Sequence, residues 1–500
     1  MPFARDHNRI LIGVAAMLAT AALAFYGTGL QPLWPLLWIA PVPVLFAAPR
    51  LSAAAAFSFA ALAWFLSGFN MWRYAMNILG RPGPRSIATA IVLLSIPAIF
   101  FGLAVLLARR FLLRRRGVAA AIAFPAAWVT YEYVLTVASP HSTFGNIAYT
   151  QMNFLPIVQM AALTGVAGVS FSVFFFAATI AALLHGPSRA MLAIGAAVFF
   201  AAIFAFGLWR LRSTPVAPSV KVGLIASDVA ANVFPQEPGR DSKRLLEDYL
   251  RHAAPLVKRG AQVIVAPEKL AVMIDADKRD GDAPMAAFAR EQKSDVVVGW
   301  IRIAPPARFN EARMYTGDEV LTYDKRHMLP AFESKFTPGR TSLLIPKPSG
   351  TWGLAICKDM DFPTLGRDYG RRGAGLLLVP AWDFVDDGWL HDRMAVMRGV
   401  ESGFTIARAA KQGLLTVTDS RGRVLAQQSS GAAPFATLLA DAPVYHEGTP
   451  YARFGDWFAW LTIAALVSLA VIIPAWERLR DAVASHAAAS DPDAKGSRLS

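Results

Sequence analysis

The chain has 500 residues, of which 55% are hydrophobic and only 17% charged, and its formal net charge is +14. This composition excludes a disordered chain, and the single cysteine, Cys357, excludes a disulfide scaffold and a cysteine-rich zinc site. A nucleic-acid-binding surface is not predicted either, because the excess positive charge lies between apolar runs rather than on a domain of mixed charge.

Eight apolar runs occupy the first part and the end of the chain. Most approach or exceed the roughly 20 residues that a helix needs to cross about 30 Å of hydrocarbon, so they predict a polytopic α-helical membrane domain of about eight spans. The first run has the basic flank of a signal peptide, but further apolar runs follow it directly, which favours an uncleaved span. The runs cover residues 10–27, 33–48, 52–72, 87–108, 118–138, 157–184, 190–209 and 457–475, and 33–48 is short and contains three prolines.

The arginines predict an orientation for these spans. Residues 1–212 hold 14 arginines, no lysine and two acids, a net charge of +12, whereas the remaining 35 basic and 33 acidic residues leave +2. With a cytoplasmic N-terminus, most of these arginines fall in cytoplasmic loops, as the positive-inside rule requires. Seven crossings then place residues 213–455 outside the cytoplasm, which we interpret as the periplasm of a bacterium; a eukaryotic organelle is the alternative. The cytoplasmic arginines are Arg5, Arg9, Arg50, Arg109, Arg110, Arg114, Arg115, Arg116, Arg189, Arg478 and Arg480.

The outside segment alternates short β-rich runs with amphipathic stretches. This pattern predicts a layered α/β domain large enough to have its own core. The predicted organisation is a seven-span membrane domain at 1–212, the α/β domain at 213–455, a C-terminal transmembrane helix at 456–476 and a disordered cytoplasmic tail at 477–500.

Three of the predicted strands end on a residue with useful chemistry. Glu268 ends QVIVAPE, Lys325 ends EVLTYDK and Cys357 ends GTWGLAIC. A thiol needs a base to become a nucleophile, a carboxylate can be that base, and a lysine can stabilise an oxyanion, so the three form a complete acyl-transfer set. Taken singly, the cysteine also fits a small buried apolar residue, and the other two fit an ion pair.

The residues around these positions resemble a known family. APEK around Glu268, YDKRHMLPAFE ending at Glu333, and AICKDMDFP around Cys357 are similar to the carbon–nitrogen hydrolase (nitrilase) superfamily. Fusion to seven preceding spans and one following span resembles the apolipoprotein N-acyltransferase family of that superfamily. Trp128, Glu132 and the run GVAGVSF are similar to its membrane half.

This resemblance implies an αββα sandwich and a Glu268–Lys325–Cys357 triad. It implies that Cys357 takes an acyl chain from a phospholipid as a thioester and passes it to the amine of a diacylglyceryl-cysteine lipoprotein. Glu333 and Asp359 are then supporting residues. No cofactor or metal is implied, and the partners are the phospholipid donor, a lipoprotein or other amine acceptor and the bacterial inner membrane, with the protein acting as a monomer.

Several positions depart from the family pattern. After the cysteine the family has Tyr-Glu, whereas this chain has Lys358 and Asp359. Lys358 is therefore predicted as a possible substrate-binding residue that lowers the pKa of the thiol, or else as a side chain directed to solvent. Trp382 is predicted to line an acyl pocket or to belong to the core. Lys269 replaces a small or hydroxyl residue, and no tryptophan occurs between Trp209 and Trp300.

Other functions remain open from the sequence. A membrane-anchored amidase that hydrolyses a periplasmic carbon–nitrogen bond has the same triad, and a non-catalytic scaffold explains the departures. His327 suggests a Cys–His pair, but it lies in a loop that the superfamily uses for structure. Arg398 and Glu401, three residues apart on a predicted helix, form a structural ion pair by default. A metal site is a weaker interpretation than a structural role for one further group of residues, which comprises Asp383, Asp386, Asp387 and His391.

Overall fold

The computed structural model describes residues 2–80, 83–185, 189–213, 216–229, 238–317 and 319–472. The predicted tail at 477–500 lies outside these residues. The first part of the chain is helical. Its helices are α1 (Pro2–Gly27), α2 (Trp34–Ile39), α3 (Val42–Ala47), α4 (Ala53–Ser67), α5 (Trp72–Ile78), α6 (Pro84–Leu113), α7 (Gly117–Ala138), α8 (Leu155–Val158), α9 (Ala161–Thr164), α10 (Val166–His185) and α11 (Arg189–Arg212).

Six of the eight predicted spans coincide with helical segments that, among the described residues, are long and apolar enough to cross a membrane. The predicted span 33–48 is two six-residue helices, α2 and α3, which meet at Pro41, where the backbone lacks a donor. The run 157–184 is divided at Gly165, whose φ is +66°, so only α10 is long enough. The last run is described only to Ile472. The six segments are Asn8–Gly27, Ala53–Ile78, Pro84–Leu113, Gly117–Ala138, Val166–His185 and Arg189–Arg212.

The helical bundle has two different edges, and α10 runs between them. At one edge Arg50 Nη1 lies 2.8 Å from Nε2 of His185, the last residue of α10. Arg109 belongs to the same edge, since its guanidinium donates to the carbonyl oxygens of residues 48 and 51 at 2.9 and 2.7 Å. At the other end of α10, the N–H of Val166 donates to Glu401 of the α/β domain at 3.0 Å. The α/β domain therefore docks on the edge opposite the arginine-rich one.

The second part of the chain alternates strands and helices, as the sequence predicts. Its elements are β1 (Ser219–Ala226), α12 (Arg240–Lys258), β2 (Val263–Val265), β3 (Ala271–Ile274), α13 (Lys278–Gln292), β4 (Asp295–Ala304), β5 (Ala307–Thr316), β6 (Glu319–Asp324), β7 (Leu343–Lys347), β8 (Gly350–Leu354), α14 (Pro363–Arg371), β9 (Leu376–Trp382), α15 (Gly388–Ser402), β10 (Thr405–Lys411), β11 (Leu414–Thr418), β12 (Val424–Ser429), β13 (Ala436–Pro443), α16 (Pro450–Phe454) and α17 (Trp457–Val467).

The strands form two sheets that pack face to face. One has the order β13-β1-β2-β4-β5-β6 with β3 beside β4, and the other has the order β12-β11-β10-β9-β8-β7. Apolar side chains such as Val265 from the first sheet and Leu378 from the second form the core between them. Helices α12 and α13 cover the outer face of the first sheet, and α14 and α15 cover that of the second. The expected αββα sandwich is thus confirmed.

Helix α15 joins the sandwich to the helical bundle. Ala395 packs into the cluster beneath the second sheet, whereas Met394, Met397 and Val400 belong to the apolar cluster of the bundle. Thirteen of its fifteen residues are buried. Because both faces of one helix are covered, the two halves of the protein share a continuous packed interior.

Candidate active site

A buried ammonium lies between two carboxylates in the sandwich. Lys325 Nζ donates to Glu268 Oε1 at 2.8 Å and to Glu333 Oε2 at 2.8 Å. Asn310 Nδ2 donates to the same two carboxylates, at 2.6 Å to Glu268 Oε1 and at 2.8 Å to Glu333 Oε1. All four side chains are at most 2% exposed. The sequence-predicted Glu268, Lys325 and Glu333 are therefore brought together, and Asn310 completes the cluster.

Neighbouring strands deliver these residues to one place. Glu268 follows β2, Lys325 follows β6, and the N–H of Lys325 donates to the carbonyl oxygen of Asn310 on β5 at 2.8 Å. Gly299 on β4 allows the segment before Glu268 to approach closely, since its N–H donates to Pro267 O at 3.1 Å. A Cβ atom at position 299 would lie 2.5 Å from Glu268 Cα.

Gly299→Ala is therefore expected to displace the backbone of Glu268. We expect a loss of about 1–3 kcal/mol in the free energy of unfolding, as for other overpacked cores, together with slower acylation of Cys357. Gly448→Ala is the matched control, because a Cβ atom there meets nothing within 4 Å. Thermal unfolding and the rate of Cys357 acylation measure both effects, and a Gly299→Ala variant as stable and active as the control would contradict this account.

Cys357 lies at a sharp turn after β8 and is the first residue of a short 3-10 helix, Cys357–Asp361. Its φ is +42°, a left-handed conformation that is strained for a residue with a side chain and that recurs at functional positions. Its thiol donates to the carbonyl oxygen of Trp382, the last residue of β9, at 3.3 Å. The turn therefore directs the sulfur toward the end of the second sheet.

The surrounding charges define the protonation states of this site. Burial raises the pKa of the Cys357 thiol well above its ordinary value and the Glu268 carboxylate adds to this, while Lys325 opposes it. For Glu268, burial alone would raise the pKa, but the ammonium groups of Lys325 and Lys269 outweigh it and hold that pKa below its ordinary value. At neutral pH the thiol is thus protonated and the carboxylate ionised, which are the states in which a carboxylate can accept a thiol proton.

Asp359 fastens the segment after Lys325 to the turn after Cys357. Its Oδ2 accepts from the hydroxyl of Tyr323 at 2.8 Å and from the N–H of Ile356 at 3.1 Å. Its Oδ1 accepts from the N–H groups of Arg326 at 3.1 Å and His327 at 2.9 Å. These four contacts hold the two segments in register, so Asp359 acts on the site through the backbone.

Lys358 belongs to a buried chain of charges that leads to the helical bundle. Only 4% of it is exposed, so it is not directed to solvent, and its Nζ donates to Asp361 Oδ2 at 3.0 Å. His391 lies 3.6 Å from Asp361 through Nδ1 and 3.1 Å from Asp387 through Nε2. The hydroxyl of Tyr74 on α5 donates to Asp387 at 2.8 Å. The ammonium of Lys358 is thus already ion-paired with the carboxylate of Asp361.

Two further lysines lie around Trp382, and neither was singled out as a site residue from the sequence. Lys269 Nζ pairs with Glu333 and lies 3.7 Å from Glu268 Oε1. Lys411, the last residue of β10, donates to the carbonyl oxygen of Lys269 at 3.2 Å, and its Nζ lies 4.0 Å from the centroid of the Trp382 ring. Burial lowers the pKa of Lys411 to about 7. Its position at a strand end, like that of Lys325, is the signal that could have found it.

The residues of the alternative sites considered from the sequence form structural contacts with other side chains. His327 stacks on Phe362 with ring centroids 3.7 Å apart, and its Nδ1 lies 2.9 Å from Asp359. Asp383 forms a two-point ion pair with Arg408. No group of three or more metal-binding side chains occurs among the residues that the structure describes. The expected ion pair between Arg398 and Glu401 is confirmed, with 3.0 Å between Nε and Oε2.

Comparisons with known proteins match both halves of the chain. Residues 15–179 match the model of the apolipoprotein N-acyltransferase N-terminal domain, and residues 236–455 match that of the carbon–nitrogen hydrolases. The apolipoprotein N-acyltransferase of Geobacter metallireducens is 26% identical over 90% of this chain and 92% of its own length, and that of Rhizobium leguminosarum is 25% identical over 94% and 96%.

Among solved structures, an amidase from Nesterenkonia sp. is 21% identical, with a TM-score of 0.39 over 47% of this chain and 94% of its own length. The two domain models together cover the membrane half and the α/β half of the chain. The chain belongs to the apolipoprotein N-acyltransferase family, the membrane-bound members of the carbon–nitrogen hydrolase superfamily.

Proposed function

We propose that this protein transfers an acyl chain from a phospholipid to the N-terminal amine of a diacylglyceryl-cysteine lipoprotein, through a thioester on Cys357. The observation that carries this proposal is the half-buried thiol of Cys357 at its strained turn, together with the buried Glu268–Lys325 ion pair whose charges act on that thiol. The name of the full-length relatives supports the choice of donor and acceptor.

In the first half-reaction Glu268 accepts the thiol proton as the sulfur attacks the ester carbonyl of the phospholipid. The carbon–sulfur bond forms, the carbon–oxygen bond of the ester breaks, and the lysophospholipid leaves with the proton from Glu268. In the second half-reaction the lipoprotein amine attacks the thioester and its proton passes to the sulfur, which regenerates the thiol. Neither half-reaction involves oxidation or reduction. Both steps require one group that accepts a proton and returns it.

Lys325 stabilises the oxyanion in both half-reactions. Burial would lower the pKa of its ammonium, but Glu268 and Glu333 outweigh it and hold that pKa well above the ordinary value, so the charge is permanent at neutral pH. A fixed cation in a buried site needs little reorganisation when negative charge develops on the attacked carbonyl. Glu333 and Asn310 position the ammonium.

The placement of the site suits substrates that remain in a membrane. The turn that begins at Cys357 ends at Asp361, whose carbonyl oxygen accepts from the hydroxyl of Thr143, just beyond α7, at 2.6 Å. The α/β domain lies opposite the arginine-rich edge, which the positive-inside rule assigns to the cytoplasm. We therefore assign the protein to the bacterial inner membrane, with its catalytic domain in the periplasm, where lateral diffusion brings donor and acceptor to the site.

The test uses the full-length protein in detergent with phospholipid as donor. We expect intact-mass measurement to show an acyl adduct on Cys357 that hydroxylamine removes and that Cys357→Ala abolishes. A diacylated lipopeptide with a free α-amine is expected to discharge the adduct, whereas the same lipopeptide with an acetylated amine is the matched control and leaves it intact.

The outcomes separate the alternatives. A failure to acylate Cys357 would refute the transferase proposal. Discharge of the adduct by water at the same rate with and without the lipopeptide would favour the amidase reading. Full cellular function of Cys357→Ala would favour the scaffold.

A further inference from the structure

An open cleft lined by five arginines lies on the outer side of α14, away from the charged cluster around Lys325. Its volume is about 590 Å³, and its arginines, which we call the arginine cleft, are Arg326, Arg340, Arg367, Arg371 and Arg372. Arg326 follows Lys325 in the chain, but its Nη1 donates to Ser342 at 2.9 Å, whereas Lys325 reaches Glu268 and Glu333. The cleft is therefore a separate feature on the opposite side of that segment.

The positive charge of the arginine cleft is only partly compensated by acids. Asp368 is the one carboxylate that lines it, and it is shared between Arg326 at 3.8 Å and Arg372 at 3.7 Å. Arg367 pairs with Asp456 at 2.8 Å. Arg371 is held by the carbonyl oxygens of residues 452 and 453 at 2.7 and 3.1 Å, which leave its charge in place. Five guanidinium groups thus meet two carboxylates.

The other lining groups complement an anion with several oxygen atoms. Thr341 and Thr364 contribute hydroxyl groups to the same wall, whereas the hydroxyl of Ser342 already joins Arg326 to Asp368. Guanidinium groups bind phosphate through paired N–H donors, and hydroxyl groups add further donors at lower charge. A phosphate ester is the anion that this donor set fits best.

The cleft lies where the chain enters the membrane-facing part of the protein. Asp456, the partner of Arg367, directly precedes the apolar helix α17. Phe454, Trp457 and Trp460 beside it are all more than 40% exposed. Exposed aromatic residues at the end of an apolar helix are typical of the membrane interface, where the lipid head groups lie.

We propose that the arginine cleft binds the phosphate of an anionic phospholipid in the outer leaflet of the membrane that the bundle spans. Guanidinium groups bind phosphate esters through paired hydrogen bonds, and each basic residue near an anionic membrane surface strengthens the attraction. The bound lipid fastens the α/β domain to the membrane beside α17. This inference goes beyond the proposed acyl transfer and does not depend on Cys357.

The test measures lipid binding to the full-length protein in a neutral detergent. Native mass spectrometry counts bound molecules as phosphatidylglycerol is added, and Arg340→Gln/Arg372→Gln removes two exposed guanidinium groups of the cleft. We expect binding to weaken by about tenfold or more. Arg244→Gln/Arg279→Gln, at exposed positions of α12 and α13, is the charge-matched control and should bind as the wild type does.

Two further arms identify the ligand. Phosphatidylcholine has the same phosphate without net charge and is expected to bind more weakly than phosphatidylglycerol at the wild-type cleft. Inorganic phosphate is expected to displace phosphatidylglycerol only at a large excess.

An equal loss of phosphatidylglycerol binding in the cleft variant and in the control variant would refute the arginine cleft as the binding site. Displacement of phosphatidylglycerol by an equimolar concentration of inorganic phosphate would refute the lipid as the ligand and would indicate a site for a free anion. Acylation of Cys357, measured in the same variants, reports separately on the proposed function, so either proposal can fail without the other.

Discussion

Glu268→Gln is expected to slow acylation of Cys357 by about 10²–10⁴-fold, the range for loss of a general base. The amide keeps the volume of the side chain but cannot accept the thiol proton, and the pKa of that thiol is raised by burial and by Glu268 itself. Lys325 retains Glu333 as a partner at 2.8 Å, so the fold is expected to persist. The measurement is the rate at which the acyl adduct on Cys357 appears by intact mass.

Glu311→Gln is the matched control for this prediction. Glu311 is as buried as Glu268 and also ion-paired, with Arg313 and Arg302, but it lies on the other face of β5 from Asn310. Its substitution should reduce stability without changing the acylation rate of the folded protein. Equal rates in Glu268→Gln and wild type would exclude Glu268 as the base, and equal slowing in both variants would indicate only a structural effect.

His391→Gln is expected to destabilise the junction between the two halves of the protein by about 3–5 kcal/mol, as when one partner of a buried ion pair is removed. His391 lies between Asp387 and Asp361, and Asp361 also holds Lys358, which follows Cys357 in the chain. Burial alone would lower the pKa of His391, but the two carboxylates raise it from 6.5 to about 10.

The sign of the pH dependence follows from that raised pKa. The stabilisation by His391 is complete below about pH 6.5 and is lost as the pH rises through about 10. The difference in thermal midpoint between wild type and His391→Gln should therefore be large near pH 6 and small near pH 10. Thermal unfolding of the full chain in detergent at the two pH values measures it.

His252→Gln is the control for His391→Gln, because His252 is exposed on α12, where its Nδ1 bonds to the carbonyl oxygen of Asp248 and its ring stacks on Phe435. Neither contact requires a charged imidazole, so the effect of this substitution on stability should be the same at the two pH values. A difference between wild type and His391→Gln that stays constant between the two pH values would contradict an ionic role for His391.

The sequence predicted the fold class because its signals are local. An apolar run of about 20 residues and an alternation of short strands with helices are each read from neighbouring residues. Six of the eight predicted spans are helices long enough to cross a membrane, while Pro41 divides the run 33–48 and Gly165 shortens the helix within the run 157–184. Those interruptions are visible in the sequence, but whether a proline bends or ends a helix depends on what packs around it.

The candidate site was only partly predictable. Glu268, Lys325 and Cys357 were found because each ends a strand and each carries family-like neighbours. Asn310 lies in the middle of β5, where no motif marks it, and its contacts with Glu268 and Glu333 join positions 42 and 23 residues away.

The sequence by itself determined where the charge of +14 lies: 12 units accompany apolar runs, and the α/β half is nearly neutral. It also determined the order of the three candidate catalytic residues. Only the tertiary structure decided the partners of Lys358 and Lys411, the separation of the arginine cleft from the catalytic cluster, and the edge of the bundle on which the α/β domain docks. The physical reason is that charge and hydropathy are properties of single residues, whereas burial and pairing depend on segments that folding brings together from distant parts of the chain.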